Sequence, residues 1–310
     1  MNKEQNLEPA IIEFRKEDAS KLADLFNSFD REELWPGGFT GGVPYTAEKV
    51  LDSFPVSVKS ISILISTYED KFTGICTLHP HYEDPEAAYI GVLGVHPDYL
   101  GRGHGKALVL RALQIATQNN LMRVDLDTWA GNLRAVPLYK KCGMFWIPET
   151  SVRMQDYIPG IRNFPLAKQF LTGYDWYSTQ KRKLELVPDQ IKLEGMDIFR
   201  YEFSKDEDAL TVWIDRYGRS IMGIDRAMEG EPLTITARLK DHNVIAGVEE
   251  DLIITIENNT QVGIQGSVFL SGFEGLNFTE QPQQSFTVRK RTSRFSFQVA
   301  LLLVFLDCLQ

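Results

Sequence analysis

Gly101, Gly103 and Gly105 stand on alternate positions in "PDYLGRGHGKALVL" (Pro97–Leu110), directly ahead of an apolar-periodic run. Glycines so placed leave bare backbone that reaches positive φ and lets a ligand come close. A helix starting straight after them aims its first-turn N–H groups, which have no carbonyl one turn back, at the same point. Spacing excludes two familiar phosphate loops. The dinucleotide pattern G-x-G-x-x-G fails because these glycines run G-x-G-x-G. The pattern G-x-x-x-x-G-K-[ST] fails because Ala107 follows Lys106 and Leu100 replaces the first glycine. What remains is an apolar strand "VLGV", a His-Pro turn, the glycines and a helix N-terminus, which together form a backbone nest for a pyrophosphate.

The elements that must position this loop surround it in sequence. "AIIEFR" (Ala10–Arg15) reads as a strand, and helical spacing follows at Leu22, Leu25 and Phe26. The Gly- and Pro-rich stretch Glu33–Thr46 is a loop whose Trp35, Phe39 and Tyr45 either pack onto the domain or line a substrate mouth. A hairpin is expected about Glu69-Asp70-Lys71, and a central apolar strand over Ala87–Pro97. The helix after the glycine loop should end near Asn119-Asn120 and bury Leu108, Ala112 and Ile115. "MRVDLDTW" is a further strand, and "NLRAVPLYKKCG" a short helix stopped by Gly143. Alternating strands and helices make residues 1–158 an α/β domain. Residues 159–205 form a mixed, aromatic bridge. From 206 to 310, short β-branched runs separated by Gly, Asn, Asp and Pro describe an antiparallel β-sandwich, including a hairpin about Arg216-Tyr217-Gly218.

The chain has 310 residues, with 33 Lys and Arg against 42 Asp and Glu, a net charge of −9. That balance argues against a nucleic-acid partner, which needs a basic face. "VALLLVFL" (Val299–Leu306) falls far short of the ~20 residues of a spanning helix, so no membrane partner is expected. The last strand should end near Ala300. Cys76, Cys142 and Cys308 lie far apart, the pattern of buried thiols in a reducing compartment, and with no secretory signal the expected location is cytoplasmic.

Residues 8–158 resemble the GNAT family of acetyl-CoA-dependent N-acetyltransferases. That family's loop, [QR]-x-x-G-x-[GA], corresponds to Leu100-Gly101-Arg102-Gly103-His104-Gly105, with Leu100 departing from the usual Gln or Arg. Its second motif corresponds to "NLRAVPLYKKCGMF", which supplies Asn132, Ala135, Tyr139 and Gly143 in order. The resemblance implies a GNAT fold, a mixed central sheet flanked by helices, followed here by the all-β sandwich, itself similar to immunoglobulin-like modules. It implies acetyl-CoA as co-substrate with no metal, and direct attack by a primary amine through a tetrahedral oxyanion, which needs an aimed donor. By match, Leu93, Gly94 and Val95 would bind the acetyl and pantetheine groups. Leu100 to Lys106 would hold the pyrophosphate, with Arg102 and Lys106 adding charge and His104 facing solvent. Asn132 would bond the cofactor arm, and Tyr139 would protonate the leaving thiolate.

The base for the incoming ammonium stays open among Glu83, Asp84, Glu86, Asp125, Asp127 and a water chain. At the position where histone-type members carry a Glu, this chain has Tyr89. His79 and His81 bracket Pro80 without a matching third ligand and read as structural. The acceptor would be an amine-bearing small molecule or peptide. The sandwich could form a homodimer, cover the acceptor cleft or bind a polymer. The alternative reading is a non-catalytic acyl-CoA-binding or partner-recruiting protein on a GNAT scaffold.

Overall fold

The computed structural model describes residues 9–30, 38–129, 132, 134–193, 195–228, 231–240, 248–260, 262–269, 276–278, 283–288 and 291–301. The chain divides into two compact units, Met1–Lys168 with Arg182–Gln190, and Gln169–Lys181 with Ile191–Gln310. Its helices are α1 (Ala19–Ser28), α2 (Ala47–Asp52), α3 (His104–Gln118), α4 (Ala135–Lys141), α5 (Ile158–Asn163), α6 (Pro165–Leu171) and α7 (Trp176–Thr179). Among the described residues no helix is long and apolar enough to cross a membrane.

The first unit is built on a mixed sheet of β1 (Ala10–Glu13), β2 (Ser62–Tyr68), β3 (Lys71–Pro80), β4 (Ala87–Val95), β5 (Arg123–Asp127), β6 (Phe145–Trp146) and β7 (Arg153–Asp156). They lie in the order β1-β2-β3-β4-β5-β7-β6. Neighbours are antiparallel except β4 and β5, which run parallel. β2 and β3 are joined through Glu69 and Asp70 at φ 45° and 62°. Positive φ at both residues matches the right-handed twist of the strands it joins. β3 is buried from Phe72 to His79, as a central strand must be.

Amphipathic spacing seats the helices. In α3, Leu108, Ala112 and Ile115 are buried as expected, with Val109, Leu113 and Ala116 beside them. α1 buries Leu22, Leu25 and Phe26. The aromatic loop that follows packs down: Phe39 and Tyr45 lie 5.1 and 5.0 Å from the Phe26 ring. Asn27 ties the loop down, its side chain donating to Tyr45 O at 3.0 Å and accepting from Tyr45 N at 2.7 Å. Trp35 lies outside the described residues.

The second unit is mostly β, with the end of α6 and α7 ahead of its strands, and its described elements from residue 206 on are all strands, as expected. Its large antiparallel sheet contains β8 (Ile191–Leu193), β9 (Met196–Lys205), β10 (Asp208–Asp215), β11 (Ser220–Met228), β12 (Glu231–Leu239) and β13 (Glu249–Asn258). β17 (Arg291–Leu301) pairs with β13, and β15 (Leu276–Phe278) closes that edge. β14 (Ile264–Phe269) and β16 (Gln283–Val288) form a separate two-stranded ribbon. Ile264, Val268, Phe286 and Val288 of the ribbon pack on Leu233, Ile235, Ile254 and Ile256 of β12 and β13, making two layers. β9 escapes a reading by turn signals, although Phe199, Tyr201 and Phe203 alternate inward on it. Cys308 and the rest of the apolar tail beyond Leu301 lie outside the described residues; Cys76 and Cys142 are free, buried thiols.

One buried charge in the first unit is poorly compensated. Asp156 is fully buried; its Oδ1 accepts from Ile158 N at 2.8 Å, while its Oδ2 has no hydrogen-bond partner among the described residues. Burial pushes this carboxyl up to about 7, helped by the charge of Asp125 and opposed by the Ile158 N–H and Arg182. The folded chain therefore keeps the proton longer than the unfolded chain, and stability falls as pH rises from about 4 to about 7. Asp156→Asn keeps the acceptor for Ile158 and removes the charge. It should raise the unfolding free energy near pH 8 by on the order of 2–4 kcal/mol and change it little near pH 4. Urea unfolding at both pH values checks this, and an equal gain at both would refute burial of the charge as the cause.

Candidate active site

The site begins with a fault in the sheet. Cys76 pairs with Leu93 but Leu78 pairs with Ile90, so Gly91 and Val92 together stand opposite Thr77. The Val92 N–H donates to Thr77 Oγ1 at 2.9 Å, and Thr77 Oγ1 in turn lies 3.0 Å from His79 Nε2. An extra residue of this kind bends and twists its strand. Gly91 accommodates the crowding, since a Cβ there would lie 2.8 Å from the Phe54 ring and 3.0 Å from His79. Just before the bulge, the parallel ladder of β4 with β5 runs from Ala87↔Arg123 to Tyr89↔Asp125. Beyond it, a cavity of about 350 Å³ opens between Ile90–Val95 and Leu126–Trp129. β4 thus turns backbone N–H and C=O groups toward a cavity rather than toward a strand.

The glycine loop lies next to this opening. Gly101 and Gly103 sit at φ +76° and +89°, and a Cβ at either would meet nothing within 4 Å. Their requirement is conformational, not steric. Gly103 is the left-handed N-cap of α3 and makes no side-chain cap, so the first turn of the helix opens at the loop. Gly105 has a packing reason: a Cβ would come 3.1 Å from Leu138 Cδ2, so its absence lets α4 approach. Leu100 and Gly105 line the cavity. Arg102 is exposed, with its guanidinium 5.5 Å from the Tyr99 ring centroid.

His104 corrects the expectation of a solvent-facing side chain. It is buried, its Nδ1 lies 2.8 Å from Thr73 Oγ1, and its ring meets Tyr99 edge-on. Burial, with Arg102 nearby, holds its pKa below the usual histidine value. Its side chain pins the loop to β3.

On the other wall, α4 presents Tyr139 to the cavity. The helix ends as expected: Met144 N bonds Tyr139 O at 3.0 Å and Gly143 N bonds Lys140 O at 3.1 Å, with Gly143 at φ +113°. That pair of bonds is a Schellman motif. Burial, with Cys76 and Cys142 adding to it, raises the Tyr139 phenol well above its ordinary value, so it carries its proton. Asn132 also lines the cavity. Its amide is partly engaged, donating to Thr128 Oγ1 at 2.9 Å and accepting from Ala135 N at 3.3 Å, which starts α4.

The cavity therefore gathers Leu93, Gly94, Val95, Leu100, Gly105, Asn132 and Tyr139, with Gly101, Arg102, Gly103 and Lys106 on the adjoining loop and helix start. Sequence reasoning missed Phe29, Trp129, Arg134 and Leu138, which also line the cavity. Phe29 lies across β4, where a Cβ on Gly94 would come within 2.6 Å of its ring; a glycine inside an apolar strand was the available signal. The candidate carboxylates separate clearly. Asp125 is buried and bound by Arg123 Nε at 2.7 Å, and Asp84 is bound by Arg123 Nη2 at 2.9 Å. Asp127 lines the cavity, accepting from Tyr89 OH at 3.2 Å and from Arg153 Nε at 3.2 Å. His79 and His81 are both buried among side-chain partners, His79 near Ser60 Oγ and His81 near Asp125.

Residues 31–144 match the family model described as Acetyltransferase (GNAT) family. No curated protein matches the sequence. Among solved structures, the chain is similar to PaiA N-acetyltransferase from Thermoplasma acidophilum in complex with coenzyme A, at 19% identity. That match covers 49% of this chain and 99% of that chain, with a TM-score of 0.39. It is similar to an acetyltransferase of the GNAT family from Streptococcus pneumoniae at 21% identity, covering 48% and 98%, TM-score 0.41. It is similar to the ribosomal-protein-S18-alanine N-acetyltransferase from Escherichia coli at 15% identity, covering 47% and 89%, TM-score 0.34. In residues 31–144, then, the chain carries a GNAT-family acetyltransferase domain.

Proposed function

We propose that this domain transfers the acetyl group of acetyl-CoA to a primary amine by direct attack. The observation that carries the reading is the cavity in the opening between β4 and β5, bounded by the glycine loop on one side and by Tyr139 and Asp127 on others. The residues fit such a co-substrate. Positive φ at Gly101 and Gly103 supplies a bare concave backbone beside a helix N-terminus, which suits a pyrophosphate. Arg102 and Lys106 add positive charge. The edge of β4 from Leu93 to Val95 offers amide groups to an extended amide-bearing arm and a donor for the carbonyl oxygen as it gains charge. Acetyl-CoA supplies the activated acyl group.

The remaining chemistry belongs to side chains. Tyr139, held neutral by burial, has a proton to give to the departing sulfur. Asp127 is the carboxylate among the cavity's lining residues, and Tyr89 and Arg153 fix its orientation. We assign it the binding of the acceptor's ammonium before that group gives its proton to water.

Two variants separate binding from chemistry. Gly103→Val strains a φ of +89° without any clash, so the fold should survive. CoA affinity measured by calorimetry should fall at least about tenfold, as expected when a backbone anion nest is distorted; unchanged affinity would remove the loop from the site. Tyr139→Phe should lower turnover about 10²-fold, the loss of one positioned acid, while CoA affinity stays near the parent value. Turnover is read as thiol release from acetyl-CoA with a panel of primary amines. Parent-like rates in Tyr139→Phe would exclude it as the acid.

A further inference from the structure

The chain returns to the acetyltransferase unit after leaving it. Residues 169–181 belong to the second unit, and Arg182–Gln190 rejoin the first. This returning segment runs along the end of α4. Arg182 donates to Gly143 O and to Met144 O, each at 2.7 Å, and its guanidinium lies 3.9 Å from the Phe145 ring centroid. Asp189 Oδ2 accepts from Trp146 N at 2.8 Å, and Asp189 N donates to Trp146 O at 2.9 Å. Lys140, the residue after Tyr139, donates to Val187 O at 2.6 Å and lies 3.0 Å from Asp189 Oδ2. The side chains of Lys140 and Arg182 are 1% and 5% exposed.

We propose that residues 182–190 are a strap that sets the position of Tyr139, with Arg182 and Asp189 as its positioning residues. The proposal rests on the reading of Tyr139 as the acid. α4 has only seven residues and includes Pro137, so local propensity does not fix it. Its placement has to come from tertiary contacts, and the strap grips it at both levels next to the tyrosine. Lys140 is held on the helix itself, and the carbonyls of Gly143 and Met144 just beyond its end. Arginine suits the second grip because its planar fork presents two N–H donors at a fixed spacing to the two carbonyls, an orientation a lysine's single ammonium does not fix. Lys140 needs Asp189 because a buried ammonium without a counter-charge is strongly unfavourable. Neither residue touches the cavity, so both act through α4.

The test uses the full chain with bound CoA, whose thiol ionisation is followed by thiolate ultraviolet absorbance. A phenol donating to the sulfur favours the thiolate, so Tyr139→Phe should raise the pKa of the bound thiol by about one unit. Arg182→Gln and Asp189→Asn should reproduce most of that rise while CoA still binds. Arg182→Lys keeps the charge beside Asp156 but loses the fork, and should give an intermediate rise. It decides the matter if the other two variants do not fold. A purely structural role would lower stability and leave the thiol of bound CoA unmoved. A parent-like thiol in any folded Arg182 or Asp189 variant, with Tyr139→Phe shifted, overturns the strap's role. An unshifted Tyr139→Phe, or a parent chain that does not bind CoA, overturns instead the functional reading beneath it.

Discussion

The N–H of Val92 goes to the hydroxyl of Thr77 instead of to a β3 carbonyl, and the first unit is arranged around that exchange. It absorbs the extra residue in β4 and turns the strand, two residues after the β4–β5 ladder ends at Tyr89. Buried backbone polar groups must find partners. Here those on the edge of β4 away from β3, beyond Tyr89, face a cavity where a ligand's own amides and carbonyls can serve. The environment supports the bend: burial holds His79 below the usual histidine pKa, so its neutral ring can sit beside Thr77, and Gly91 leaves room for Phe54 and the imidazole.

On the proposed function the cavity also needs a proton donor on its far wall, and that wall is a short helix. The Schellman closure at Gly143 ends α4 correctly but does not place it. Gly105 lets Leu138 come close from the loop side, and the returning strap holds the opposite end. The phenol is therefore located by residues drawn from three distant parts of the chain. A site that depends on sub-ångström placement gains from such support, because a helix of this length has little stiffness of its own.

What was legible in the sequence had local causes. Gly101 and Gly103 were readable because positive φ restricts residue choice at one position, and Gly143 because a helix end does the same. The stripe of α3 and the alternation of β2 and β3 followed from periodicity, and the β-rich second unit from its turn residues. What was hidden depended on partners far away in sequence. His104 looked like a loop residue; Thr73, 31 residues earlier, makes it a buried one. Residues 159–205 read only as a mixed, aromatic bridge, and the fold is what brings Asp189 onto Lys140. Asp125 and Asp127 alternate on one strand with identical chemistry, yet Arg123 takes the first and the cavity the second.

On the proposed function, the backbone of β4 beyond the bulge and the first turn of α3 bind the CoA arm. Amide hydrogen exchange of the full chain, with and without CoA, tests it most directly. CoA should slow exchange at Leu93–Val95 and at His104–Lys106, and leave the large sheet of the second unit unchanged. Slowed exchange confined to the second unit, or unaltered exchange in β4 at saturating CoA, would contradict it.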